Sequence, residues 1–157
     1  MGRRIKEKNL ISRLLVSTDF SDCSAAALQY AIALAKRMKA HLILVHVIEP
    51  SDHLAEGLPF INDREHLLDN LSKEALKEKI PVDVQLLHGG PIDEIIHSAN
   101  REKADLIVLG THGKADMKHL FTECVAEKLM ESAPCPVVTV RPRPAHSKRR
   151  TTKIDLE

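Results

Sequence analysis

Short apolar runs alternate along this chain with longer stretches in which apolar residues recur every three to four positions. Arg13 to Thr18 (RLLVST) reads as a first strand. Ser21 is placed to cap the helix that follows, since a serine hydroxyl accepts from a free backbone N–H of the first turn. Ala27, Ala31, Leu34 and Met38 then mark one helical face. Leu42 to Ile48 (LILVHVI) is almost continuously apolar, as a central strand covered on both sides requires. Pro50 to Gly57 reads as a polar loop and Leu58 to Ile80 as a long helix, with Leu67, Leu68, Leu71 and Leu76 on its apolar face. Beyond Pro81, Val82, Val84 and Leu86 alternate with Asp83 and Gln85, the pattern of a less covered strand near a sheet edge. His88-Gly89-Gly90 predicts a turn, and Pro91 suits the first position of a helix, where its missing N–H is no loss. Ile92, Ile95, Ile96 and Ala99 form that helix's buried stripe, with Asp93 and Glu94 near its positive end. Ala104 to Leu109 predicts a fourth strand and Gly110 to Lys118 a glycine-containing loop. Phe121 to Ser132 predicts a helix with Val125, Leu129 and Met130 inward, and Pro136 to Val140 a last strand.

The order β-α-β-α-β-α-β-α-β specifies an α/β fold: a three-layer, doubly wound, five-stranded parallel sheet, Rossmann-like, in the flavodoxin or a related strand order. Ligands of such sheets sit at the carboxyl ends of the strands, where the strand order reverses. That rule singles out Asp19 after strand one, Val47 to Glu49 at the end of strand two, and Gly110 to Gly113 after strand four.

Composition narrows the classes. With 157 residues the chain is long enough for one domain with its own core, and 43% hydrophobic with 29% charged residues is ordinary for a globular protein. A net charge of +1 gives no whole-molecule attraction to nucleic acid or anionic membrane. No apolar run reaches the roughly 20 residues of a membrane span. Met1 to Asn9 is a charged segment without an apolar signal core, so a cytoplasmic protein is expected. Cys23, Cys124 and Cys135 lack CxxC spacing and read as reduced thiols. Nine histidines occur without HExxH or Cys/His ligand spacing, so no metal is expected. The expected domain runs over 10–142. It is followed by a basic, disordered tail over 143–157 whose Lys148, Arg149 and Arg150 read as solvated rather than as a nucleic-acid contact.

The chemistry gathers in Gly110-Thr111-His112-Gly113. Two glycines directly after a parallel strand let backbone N–H groups face a phosphate, although GxxG alone equally describes a tight turn. VSTDFSDCSAAAL at Val16 to Leu28, LILVHVIEP at Leu42 to Pro50, DLIVLGTHGK at Asp105 to Lys114 and VAEKLMESAPCPVVTVR at Val125 to Arg141 extend the argument. Together, and in this order, these blocks resemble the universal stress protein family. That resemblance implies an adenine nucleotide alpha hydrolase-like fold and, in the family's ATP-binding members, a loop of glycine, two residues, glycine, nine residues, then glycine with serine or threonine. This chain keeps Gly110 and Gly113 and the nine-residue gap, but carries Glu123-Cys124 where the final pair is expected.

By the same resemblance Asp19 contacts the ribose, with Thr18 also in the site, and backbone at Val47 meets the adenine. Gly110, Thr111, His112 and Gly113 cradle phosphate, with Glu123, Cys124 and Val125 where phosphates face a helix start. A carboxylate about 5 Å from one phosphate charge costs about 0.8 kcal/mol in water, and about 3 kcal/mol at an effective dielectric near 20. ATP or AMP binding is therefore expected to be weakened or absent. The implied function is a non-catalytic stress-response or regulatory protein, with an unidentified protein partner. The resemblance also implies a homodimer through the last strand, Val137 to Val140, a natural pairing edge. The alternative is an ATP- or AMP-binding switch, or a slow ATPase, that uses the Gly110–Gly113 loop.

Overall fold

The computed structural model describes residues 10–111 and 120–142, and for 52–59 and 120–124 the backbone alone. Five parallel strands, β1 (Arg13–Ser17), β2 (His41–Ile48), β3 (Val82–His88), β4 (Leu106–Gly110) and β5 (Val137–Val140), alternate with four helices. These are α1 (Asp22–Met38), α2 (Pro50–Lys77), α3 (Pro91–Arg101) and α4 (Leu120–Ser132). The sheet order is β3-β2-β1-β4-β5, which fixes the related order in place of the flavodoxin one. The chain winds outward from β1 in one direction and then returns to β4 on its other side. The crevice between β1 and β4 is thus the switch point.

Leu14, Leu15, Val16, Leu42, Ile43, Leu44 and Val45 are fully buried, as continuous apolar strands between two helical layers must be. Alternate residues face opposite layers. Leu14, Val16, Leu42 and Leu44 join Ala27, Leu28, Ala31 and Leu68 on the α1/α2 side. Leu15, Ile43 and Ile107 join Ile95, Ala99 and Leu129 on the α3/α4 side. β3 is an edge strand, as its alternation implied, and β5 is the other edge. Ser21 caps α1, its hydroxyl accepting from Ser24 N–H, and Pro91 opens α3.

Three expectations are corrected. Pro50 to Gly57 is not a loop, because α2 starts at Pro50, a residue preorganised for the first helical position. Leu67, Leu76 and Met130 are exposed by 42%, 55% and 54%, so the apolar faces of α2 and α4 are narrower than the pattern suggested. α4 begins at Leu120, which makes Glu123 and Cys124 its fourth and fifth residues rather than its start. The N-terminal segment 1–9, the tail 143–157, His112 and Gly113 lie outside the described residues.

Candidate functional site at the carboxyl edge

The register places the predicted residues at one level. Ser17 pairs with Val45, so Val47 stands level with Asp19, and Val16 pairs with Val108, so Gly110 stands level with Thr18. Thr18, Asp19, Val47 and Gly110 thus line the carboxyl edge of three adjacent strands.

Thr18 is buried and organises the β1–α1 turn. Its N–H donates to the Val45 carbonyl at 2.9 Å. Its carbonyl lies 2.7 Å from His46 Nδ1, and since a carbonyl only accepts, that nitrogen carries the proton. The Thr18 hydroxyl accepts from Phe20 N–H at 3.0 Å. Ser24 Oγ donates to the Ser21 carbonyl at 2.9 Å, so the 3.0 Å contact between the two hydroxyls has Thr18 as donor.

Asp19 is exposed, and its carboxylate accepts from the Ser21 N–H and from the Ser21 hydroxyl. It therefore braces the helix cap as well as facing the edge. The α1 N-terminus is served by its own Ser21 cap and carries the acidic Asp22 in its first turn. Both features leave it a poor receiver for phosphate.

Phe20 holds φ at 64°, a left-handed conformation that costs a bulky L-residue roughly 1–2 kcal/mol. Its ring repays this by packing. It lies 4.5 Å from the His46 ring, centroid to centroid, and under the Arg64 guanidinium at 5.2 Å. Sequence reasoning missed this cluster. His46 was visible only as the one polar residue inside an apolar strand.

Val47 points to the other face, half-buried with Leu87, Ile92 and Val125 against the α3/α4 core. Gly110 has no room for a side chain: a Cβ there would stand 2.3 Å from the Cys23 carbonyl oxygen and 2.7 Å from Ser24 N. Thr111 N–H donates to the Val140 carbonyl at 2.9 Å, which ties the residue after β4 to β5. The site is thus assembled from the β1–α1 turn, the end of β2 and the end of β4. Among the described residues no cluster of His, Cys, Asp and Glu is arranged to hold a metal ion, and no helix is long and apolar enough to cross a membrane.

Residues 11–141 match the profile of the universal stress protein family. Universal stress protein MJ0531 of Methanocaldococcus jannaschii is 34% identical over 145 residues, covering 85% of this chain and 84% of its own. A universal stress protein of Thermus aquaticus is 36% identical over 84% of this chain and its own full length. Among solved structures, MJ0577 of M. jannaschii superposes with a TM-score of 0.71 at 25% identity, over 87% of this chain and 99% of its own. A universal stress protein in complex with cAMP reaches 0.66 at 22% identity, over 85% and 98%. One from Archaeoglobus fulgidus in complex with dAMP reaches 0.63 at 21%, over 83% and 98%.

Proposed function

The chain belongs to the universal stress protein family, and on that premise we propose that it is a non-catalytic stress-response regulator. In this reading it is a cytoplasmic homodimer whose carboxyl-edge site keeps the adenosine end of an adenine nucleotide but disfavours a triphosphate. The observation that carries the reading is the common level of Thr18, Asp19, Val47 and Gly110 at the switch point. An exposed carboxylate and an apolar wall there suit a ribose and a base in turn.

The phosphate end differs. Glu123 is the fourth residue of α4, and a carboxylate in a first helical turn opposes the phosphate that such a turn otherwise attracts. Each added phosphate charge multiplies that repulsion, so ATP suffers more than AMP. The cAMP and dAMP complexes belong to two other proteins; what they lend is that this fold takes an adenine monophosphate.

Calorimetry on the full chain with ATP, ADP and AMP tests the reading. AMP binding as tightly as ATP or better is expected. Replacing Glu123→Gly with Cys124→Ser should strengthen ATP binding by about ten- to thousandfold. Micromolar or tighter ATP binding by the unaltered chain sinks the proposal.

A further inference from the structure

We propose that Arg64 is a positioning residue for the carboxyl-edge site: from α2 it presses on the Phe20 ring and so holds the β1–α1 turn that presents Asp19. The inference rests on the nucleotide reading above and adds to it a link between α2 and the site.

The link is a chain of ring contacts. The Arg64 guanidinium contacts two aromatic rings, 4.4 Å from the Phe60 centroid and 5.2 Å from that of Phe20. Phe60 and Arg64 stand one turn apart on α2, so they meet on one helical face. The Phe20 ring also meets the His46 ring, tilted at 54° with centroids 4.5 Å apart, and His46 Nδ1–H holds the Thr18 carbonyl. Two anchors therefore grip the turn, His46 through the backbone of Thr18 and Arg64 through the side chain of Phe20.

The turn needs that grip. Phe20 holds a positive φ without being glycine, and its neighbours Thr18 and Asp19 are the residues that face the ligand edge. A residue in a sparsely populated conformation persists only where its surroundings over-determine it. The Phe20 N–H to Thr18 Oγ1 bond is one such restraint and the ring stack is the other. Loss of the stack allows the turn to relax and carries Asp19 with it.

Arg64 is not an ordinary surface cation, either. Its Nε is shut off from solvent and has no hydrogen-bond acceptor among the described residues. With that N–H unpartnered, the cation–π contacts with Phe60 and Phe20 are the interactions that favour this placement of the guanidinium. Lysine keeps the charge but loses the plane, and methionine keeps the stem but loses both.

The experiment compares wild type, Arg64→Met, Arg64→Lys and Ile95→Val by AMP calorimetry, thermal unfolding and backbone amide NMR without ligand. Ile95 lies in the core on the opposite face of the sheet and serves as a mildly destabilised control. Arg64→Met should weaken AMP binding by about three- to thirtyfold. Arg64→Lys should recover part of that loss, Ile95→Val should bind normally, and the Asp19, Phe20 and Ser21 amides should shift in Arg64→Met. Affinity of Arg64→Met within about twofold of wild type, or a loss matched by Ile95→Val at equal stability, overturns the proposal. Should wild type fail to bind AMP at all, the nucleotide reading falls and the amide spectra decide the positioning. Unmoved signals from Asp19 to Ser21 in Arg64→Met then refute it, and shifted ones support it.

Discussion

Gly110 at the end of β4 lies against the backbone of Cys23 in the first turn of α1, so closely that a Cβ would stand 2.3 Å from the Cys23 carbonyl oxygen. The atom met is main chain, which has no rotamer by which to yield. The sequence pattern assigned this glycine to phosphate contact, yet helix–strand packing requires it in any case. Gly110→Ala should therefore destabilise the fold by about 1–3 kcal/mol with no nucleotide present, as overpacking does. Urea unfolding of the unliganded protein checks this. A variant as stable as wild type would leave phosphate contact as the better reason for the glycine.

The fold was legible because its strands follow simple rules. LILVHVI is too apolar for anything but a central strand, and VDVQLL alternates as an edge strand does, as β2 and β3 are. The start of α2 was not legible, because the polar stretch from Pro50 to Gly57 reads as a loop while Pro50 is in fact the first helical residue. Leu67, Leu76 and Met130 misled for a different reason. A helix against a sheet buries only a narrow stripe, and a leucine-rich sequence offers more candidates than the stripe has places. At the site, Asp19, Val47 and Gly110 were singled out by strand ends alone, and Thr18 by the family resemblance. The Phe20–His46–Arg64 stack did not, since contacts between distant segments leave no period to read.

One substitution separates the turn contact of Asp19 from the ribose contact proposed for it. Its carboxylate accepts from the Ser21 N–H at 2.9 Å, which an asparagine side-chain oxygen can also do. Asp19→Asn should therefore unfold within about 0.5 kcal/mol of wild type. If the charge also accepts ribose hydroxyls, its loss should weaken AMP binding by about ten- to a hundredfold, the range of a charge-assisted hydrogen bond. Paired denaturation and calorimetry read both effects, and unchanged affinity would confine Asp19 to the turn.

Cys135 is half-buried against the α3/α4 core, and burial first, then the nearby negative charge of Asp105, pushes its thiol above the ordinary range. The protonated form is the one the folded state favours. As pH rises, the unfolded thiol ionises first, so the stabilisation is full below the unfolded value and is lost as pH climbs through the raised one. Wild type should then lose more stability than Cys135→Ser between neutral and alkaline pH in denaturant titrations. Parallel curves would show that the thiol is not shifted. The same shift predicts slow alkylation of Cys135 at neutral pH, because the thiolate is the reactive form.

The proposed homodimer can be tested at β5 without touching the core. The carbonyls of Pro136 and Val140 accept from Ile107 and Thr111 N–H, so the even-numbered residues of this strand turn their backbone groups toward β4. By the period of two, Val137 and Thr139 turn theirs to the open edge. Val138 packs against the α1/α2 core, so a charge there would damage the fold as well as the interface. Thr139 is exposed and bonds nothing across to β4 by this alternation. Thr139→Pro removes an outward donor that a paired strand of a second copy needs, and proline is tolerated on an edge strand. Sedimentation should show wild-type dimers becoming monomers in Thr139→Pro, with the thermal midpoint of the monomer fold little changed. A dimer that survives the substitution places the interface elsewhere.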